Sequence, residues 1–297
     1  MSLPVVLVTG QCGQVAQSLS EFRSGRVRYV TRGRPELDIT DKASVERAIA
    51  RFEPLLVVNP AAFTAVDKAE SEPEQAYAVN DAGAGNVAAA AAAVGLPVIH
   101  VSTDYVFAGD KASPYTEADP TGPTGVYGSS KLAGEAAVAQ ANPRHVILRT
   151  AWVFSPHGKN FAKTMLALAK DRGVVSVVAD QQGTPTYAPD IAAGIDAVVN
   201  AILDAPDGES WRGVFHMVAQ GETTWAGLAR EVFARSAERG GQTAVVTPIA
   251  TSEYPTPARR PANSRLSTEM FERVFGYALP TWQDGVRRWM KAMASAD

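Results

Sequence analysis

Apolar and polar residues alternate in blocks along the chain. Short runs of β-branched and other apolar residues, bounded by glycine, proline or polar clusters, predict strands over residues 4–9, 26–31, 55–59, 97–102, 144–149 and 174–179. Between them, apolar positions recur at the spacing of one helical face and predict helices over 14–24, 41–52, 73–94, 124–141, 160–172 and 188–204. This alternation predicts an α/β fold, a parallel sheet covered on both faces. Ser71-Glu-Pro-Glu74 has the composition of a capping box with Pro73 in the first turn, which gives the third helix a defined start. The six alanines at 88–93 suit close packing on the sheet. From about residue 210 the rhythm weakens, and Pro, Arg and Ser gather at 248–267, where a smaller lobe is expected.

Two segments carry chemistry. In the first, the apolar run Val5 to Val8 stops at Gly10 and Gly13, and a helix-compatible stretch continues through Leu19. Gly10 permits a tight turn, Gly13 lets a dinucleotide pyrophosphate approach the backbone, and the helix start beyond offers free N–H groups. Ala16 stands where a third glycine would, at a position that needs only a small residue. An ordinary strand-to-helix turn would look similar, so this loop alone decides little.

The second segment is more specific. Tyr127 and Lys131 share one helical face a turn apart, close enough for the ammonium to favour the phenolate. With 8 tyrosines and 8 lysines in 297 residues, about 0.2 such pairs would arise by chance, and this pair is the only one. Ser102 and Thr103 end the run Pro97-Val-Ile-His-Val101, and active sites of open α/β sheets lie at such strand ends. A hydroxyl there can donate to a carbonyl oxygen while the tyrosine exchanges the proton. The pairing predicts a nicotinamide-dependent reductase, with hydride from the cofactor and a proton from tyrosine.

Composition narrows the class. At 46% hydrophobic the chain can bury a large core, as one catalytic unit of two lobes. A net charge of −3 without a dense Lys/Arg cluster argues against nucleic acid and points to small-molecule partners. The one cysteine, Cys12, excludes an intramolecular disulfide and reads as a small buried residue without a chemical duty. Neither a signal-peptide pattern nor a membrane-length apolar run is present, so a cytoplasmic enzyme without a membrane partner is expected. His100, His145, His157 and His216 stand singly, read as structural, and give no metal-site spacing.

The stretches TGQCGQVA (9–16), LDITD (37–41), NPAAFTAVDKAESEP (59–73), VSTDYVF (101–107), VYGSSKLAGE (126–135), RTAWVF (149–154), NFAKTML (160–166), DQQGTPTY (180–187) and YPTPARRPANSRL (254–266) carry a resemblance. The chain resembles the extended short-chain dehydrogenase/reductases, and within them the branch that reduces the 4-keto-rhamnose nucleotide. The resemblance implies a Rossmann-type doubly wound domain over 1–150, with 173–205 returning to it, and a smaller, discontinuous α/β substrate lobe over 151–172 and 206–297. It implies NAD(P)H-dependent reduction of dTDP-4-dehydro-6-deoxy-L-mannose to dTDP-L-rhamnose for cell-surface polysaccharide.

Residue by residue, the resemblance gives Thr103, Tyr127 and Lys131 the catalytic roles. It gives the cofactor Gly10, Gly13, Gln14, Val15, Asp38, Ile39, Ala61, Ala62 and Thr64, with Tyr127 and Lys131 beside the nicotinamide ribose. It gives the sugar Thr103, Asp104, Tyr105, Val106 and Trp152, and makes Arg260 and Arg265 candidates for the diphosphate. After Val30 come Thr31, Arg32 and Arg34 rather than an acidic residue, which favours NADPH, with NADH also accepted. Some relatives join subunits through magnesium on acidic side chains. Ser18, Pro189 and Ala292 occupy those positions here, so a monomer or a homodimer without a metal link is expected. Two other readings remain open at this point: a reductase or epimerase of another 4-keto sugar nucleotide, and a non-catalytic regulatory subunit like the β subunit of methionine adenosyltransferase.

Overall fold

The structure, a computed structural model, describes residues 3–294. Residues 1, 2 and 295–297, which the expected lobes include, lie outside the described residues. The strands are β1 (Val5–Thr9), β2 (Arg28–Arg32), β3 (Leu56–Asn59), β4 (Val98–Thr103), β5 (His145–Thr150), β6 (Val153–Phe154), β7 (Val174–Val178), β8 (Gln182–Gly183), β9 (Thr186–Tyr187), β10 (Gly213–His216), β11 (Thr223–Thr224) and β12 (Val245–Ile249). The α-helices are α1 (Gln14–Glu21), α2 (Lys42–Phe52), α3 (Val66–Ala69), α4 (Pro73–Tyr77), α5 (Ala84–Ala93), α6 (Val126–Ala141), α7 (Phe161–Leu168), α8 (Ala188–Asp204), α9 (Trp225–Ala237), α10 (Glu269–Phe275) and α11 (Trp282–Ala294).

Six strands form one parallel sheet in the order β10-β5-β4-β3-β1-β2. Successive residues of a strand point to opposite faces. Val6, Val8, Val58 and Ile99 enter a core shared with Ile191 and Ile195 of α8, whereas Leu7, Val57, Val98 and Ile147 enter one shared with α2 and α5. Both alternating sets are apolar, so neither face of the sheet can be left wet. The sheet reverses direction of growth between β1 and β3, the switch point at which such folds bind ligands beyond the strand ends.

The second lobe packs α7, α9 and α11 around β7 and β12, with Val232, Val286 and Trp289 fully buried at its centre. Trp282, Val286, Trp289 and Met290 form a stripe along α11. Among the described residues no helix is long and apolar enough to cross a membrane.

Four expectations change. The segment 174–179 is a strand, but it pairs with β12 in a separate two-stranded sheet. Val174 and Ser176 are exposed while Val175 and Val177 are buried, an alternation that the doubly covered sheet cannot use. The sixth strand of the main sheet is instead β10, inside the segment expected to belong to the smaller lobe, with Phe215 fully buried. Of the segment 173–205, α8 is the part that packs on the large sheet. The helix expected over 73–94 is broken into α4, a π-helical turn Ala78–Gly83, and α5. Ser71 does not cap it: Glu72 holds the N-cap position, and the Ser71 hydroxyl donates to the Lys68 carbonyl.

Candidate active site

The cleft at the switch point encloses about 830 Å³ between the two lobes. Its floor is the β1–α1 turn. Gly10 has φ 77°, and a Cβ there would lie 3.0 Å from Ala61, so the turn requires glycine. Gly13 closes the turn by donating its N–H to the Gly10 carbonyl at 2.9 Å, and no side chain caps α1, which leaves its first-turn N–H groups for an anion. Val15 is buried, and Gln14 reaches across to the second lobe. Its amide donates to the Val153 carbonyl at 3.3 Å, and its Oε1 accepts from Ser155 at 2.8 Å and Asn160 at 3.1 Å. Cys12, expected to be buried, is exposed on this loop.

Asp38 and Ile39 line one end of the cleft. Thr40 donates to Asp38 Oδ1 from its backbone N–H at 2.9 Å and its hydroxyl at 2.8 Å, holding that carboxyl below its usual range. Ala61, Ala62 and Thr64 line the opposite wall. Their loop is pinned by Asn80 in the π-helical turn: Oδ1 accepts from the Phe63 N–H at 2.7 Å, and Nδ2 donates to the Phe63 carbonyl at 3.1 Å and to Ser130 on α6 at 3.0 Å. Arg32 is turned away. It pairs with Glu36 at 3.0 Å and lies over the Phe52 ring, and Arg34 takes its expected place in the cleft wall.

Thr103 ends β4, and Tyr127 and Lys131 project from the first turns of α6, so all three meet in the cleft. The Thr103 hydroxyl donates to Asp104 Oδ1 at 3.0 Å. Burial raises the Tyr127 pKa; a hydrogen bond with Thr103 pulls it down, while Asp104 adds to the rise. Burial also pushes Lys131 down to about 8, with the charge of Glu135 opposing. The expectation that Lys131 acidifies Tyr127 is not met here, because the ammonium donates to the Val101 carbonyl at 2.8 Å and lies 3.1 Å from His100 Nε2.

The sugar-side wall is aromatic. Trp152 adopts φ 48°, unusual for a bulky residue, and its indole stacks on Trp225 with centroids 3.6 Å apart. Trp225 donates to Gln181 Oε1 at 3.0 Å, and Gly183 is pressed against Trp152 so closely that a Cβ would collide with the ring. Tyr105 meets Tyr127 edge-on at 5.4 Å. Burial raises the Asp104 carboxyl to about 6, against hydrogen bonds from Ser264 and Thr103. Val106 is fully buried beneath the loop and contributes packing rather than cleft surface. Arg260 donates to the Tyr105 hydroxyl at 3.2 Å and pairs with Asp67 at 2.6 Å, at the edge of a neighbouring depression of about 380 Å³. Arg265 pairs with Glu222 at 3.1 Å and donates to the Ala112 carbonyl, away from the cleft.

Asn80 and Trp225 have no counterpart in the sequence reading, and His100 was read there as structural. Trp225 opens α9 with the signature of a core aromatic, and only the tertiary fold brings it to Trp152. Among the described residues no group of three or more His, Cys, Asp or Glu could hold a metal ion.

A doubly wound parallel sheet, a glycine-turned first loop and a Tyr/Lys helix over the strand ends define a Rossmann-type short-chain dehydrogenase/reductase, a class of oxidoreductases. The family model described as RmlD substrate binding domain matches residues 4–295, and the chain is 49% identical over 286 residues to dTDP-4-dehydrorhamnose reductase of Sinorhizobium fredii, covering 96% of each chain. The chain belongs to the dTDP-4-dehydrorhamnose reductase family. It is 45% identical over 258 residues to the enzyme of that name from Escherichia coli, covering 86% of this chain and 85% of that one. The crystal structure of the Bacillus anthracis reductase in complex with NADP is similar at TM-score 0.90 and 34% identity, covering 98% of this chain and 99% of that one. The Clostridium acetobutylicum reductase is similar at TM-score 0.89 and 36% identity, with the same coverage.

Proposed function

We propose that this protein reduces dTDP-4-dehydro-6-deoxy-L-mannose to dTDP-L-rhamnose, with NADPH and also NADH as hydride donor, in the cytoplasm and for cell-surface polysaccharide. The convergence of Thr103, Tyr127 and Lys131 opposite the stacked Trp152 and Trp225 carries this reading.

The residues present fit a dinucleotide. A turn at Gly10, whose φ of 77° disfavours any side chain, lies beside an uncapped helix start, and the buried hydroxyls of Ser102 and Thr150, which line the same cleft, have no hydrogen-bond partner among the described residues. Gly13, Gln14 and Val15 would hold the pyrophosphate, Asp38 and Ile39 the adenine end, Arg34 a 2′-phosphate, and Ala61, Ala62, Thr64 and Lys131 the nicotinamide end. When bound, the dinucleotide supplies a hydride to carbon 4 of the sugar.

Everything else falls to the protein. Thr103 donates to the carbonyl oxygen and fixes its direction. Tyr127, whose burial keeps the phenol protonated at neutral pH, gives its proton to that oxygen as the alkoxide forms. Without substrate the single Thr103 proton lies on Asp104 Oδ1, and it turns from there to the carbonyl oxygen when the sugar binds. The apolar Trp152 face suits a deoxyhexose ring that lacks its 6-hydroxyl, and Tyr105 with Arg260 borders the diphosphate.

The test follows absorbance at 340 nm with the 4-keto-rhamnose nucleotide generated in place by a dehydratase and an epimerase. The expected result is NADPH oxidation that depends on both upstream enzymes. Tyr127→Phe is expected to lower turnover by about 10²–10⁴-fold with NADPH affinity retained. An active Phe variant, or no oxidation by the wild type, overturns the reading; an isomerised sugar without net NADPH consumption would mark an epimerase.

A further inference from the structure

Lys131 is 1% exposed although it lines the cleft. An ammonium has three N–H donors and no acceptor, and burying it is costly unless those donors are bonded. One goes to the Val101 carbonyl at 2.8 Å, and His100 Nε2 stands 3.1 Å away. The other ring nitrogen, Nδ1, is 3.1 Å from the Asn59 amide, whose Oδ1 accepts from the Thr9 hydroxyl at 2.5 Å. Thr9, Asn59 and His100 are at most marginally exposed, and Asn59 and His100 are register partners in the sheet. Four side chains from β1, β3, β4 and α6 thus form one continuous buried chain ending on Lys131.

Its chemistry is reversible. With Nδ2 of Asn59 toward the ring, imidazole is protonated on Nε2 and donates to a neutral amine. A half-turn of the isosteric amide lets Nδ1–H donate to Oδ1, so Nε2 accepts from the ammonium while Nδ2 donates to Thr9. Burial and the facing ammonium hold the His100 pKa far below its usual value, so the ring stays neutral in either direction. The chain satisfies Lys131 in both of its protonation states.

We propose that His100, braced by Asn59 and Thr9, is a positioning residue for Lys131, fixing Nζ so that its remaining N–H faces the nicotinamide ribose. This rests on the reading of Lys131 as a cofactor residue. NADPH dissociation constants, read by fluorescence without any sugar substrate, test it separately from the choice of substrate. In His100→Gln the amide oxygen reaches the place of Nε2, whereas the shorter His100→Asn reaches only toward Asn59. The Gln variant is expected to bind NADPH within about threefold of wild type, and the Asn variant about tenfold more weakly, the loss of one hydrogen bond to a charged group.

In a Lys131→Met background the Asn substitution is expected to change affinity by less than about twofold, since the residue through which it acts is gone. Equal affinities for the Gln and Asn variants, or additive effects in that background, overturn the positioning role. Should the Asn variant fail to fold, Thr9→Val at the far end of the chain replaces it, with the same non-additivity expected and additivity again fatal. A wild-type protein that binds no NADPH overturns the cofactor reading and this one with it.

Discussion

Glu135 and Arg149 form a buried pair directly behind the proposed catalytic helix face, and Glu135→Gln separates two effects that the structure ties together. Arg149 Nε and Nη2 donate to the two carboxylate oxygens at 2.9 and 2.7 Å, and both side chains are 6% exposed. Arg149 Nη1 has no hydrogen-bond partner among the described residues, and the guanidinium lies 5.0 Å from the Phe107 ring. Glu135→Gln removes the negative charge and one of the two acceptors, which leaves a buried cation held by a neutral amide oxygen and an aromatic face. Breaking such a pair costs about 3–5 kcal/mol, and a retained cation–π contact of about 1–2 kcal/mol places the expected loss near the lower end. That is a large share of a total stability of about 5–15 kcal/mol.

The second effect reaches Lys131, one helical turn earlier, where Glu135 is the charge opposing burial. Without it the lysine falls further below about 8. The sign follows from linkage: with a depressed folded pKa, the unfolded chain binds more protons across the window between folded and unfolded values, so stability rises with pH there. The variant extends that window downward. Urea denaturation at a series of pH values measures both effects. Replacing both partners, Glu135→Gln with Arg149→Met, is expected to recover most of the loss, because no uncompensated charge remains. A double variant as unstable as the sum of the two single variants, or a Gln variant as stable as wild type, refutes the reasoning.

Two further outcomes follow from the cleft walls. Gly183→Ala puts a methyl where the Trp152 indole lies, so it should unstack Trp152 from Trp225 and raise KM for the sugar nucleotide while the NADPH dissociation constant stays within about twofold; parallel changes in both would sink the assignment of this wall to the sugar. Asp104, raised to about 6, binds protons more readily folded than unfolded between its ordinary carboxylate range and that value, so its contribution to stability falls as pH rises through this window. Asp104→Asn should gain about 1–3 kcal/mol at pH 8 and little at pH 4 in urea titrations, while weakening turnover through a misdirected Thr103. A loss of stability at pH 8 would contradict it.

Much of the large lobe was legible because burial on both faces leaves a plain mark. β1, β3, β4 and β5 lie within a residue or two of their expected positions because each is built on a short apolar run, interrupted in β4 by His100. The same rule misled at 174–178, where Val-Val-Ser-Val-Val looks like a core strand although the serine in the middle marks a wet face. β10 is a short strand whose membership is decided by a partner distant in sequence, and no local signal carries that information. In the site, Thr103, Tyr127 and Lys131 could be read from spacing and strand ends. His100 could not: inside an apolar run, a histidine packed in the core and one bonded to a lysine on a helix above are spelled identically. Arg32 and Arg34 are two positions apart on a turning segment, and which of them faces the cleft depends on the Phe52 ring and Glu36.

That β10 closes the sheet from the far side of β5 has a consequence for biosynthesis. As the chain emerges from the ribosome, β1 to β5 can assemble early, yet the outer edge of β5 stays open until His216 has been made. An unpaired edge is a template for another copy of itself. A fragment ending at Thr150, the natural place to cut out a stand-alone nucleotide module, would keep that edge permanently bare and lose the cover of α8 on the sheet. Portable versions of this cradle, for grafting or for biosensors, therefore need the stretch through His216 expressed with them.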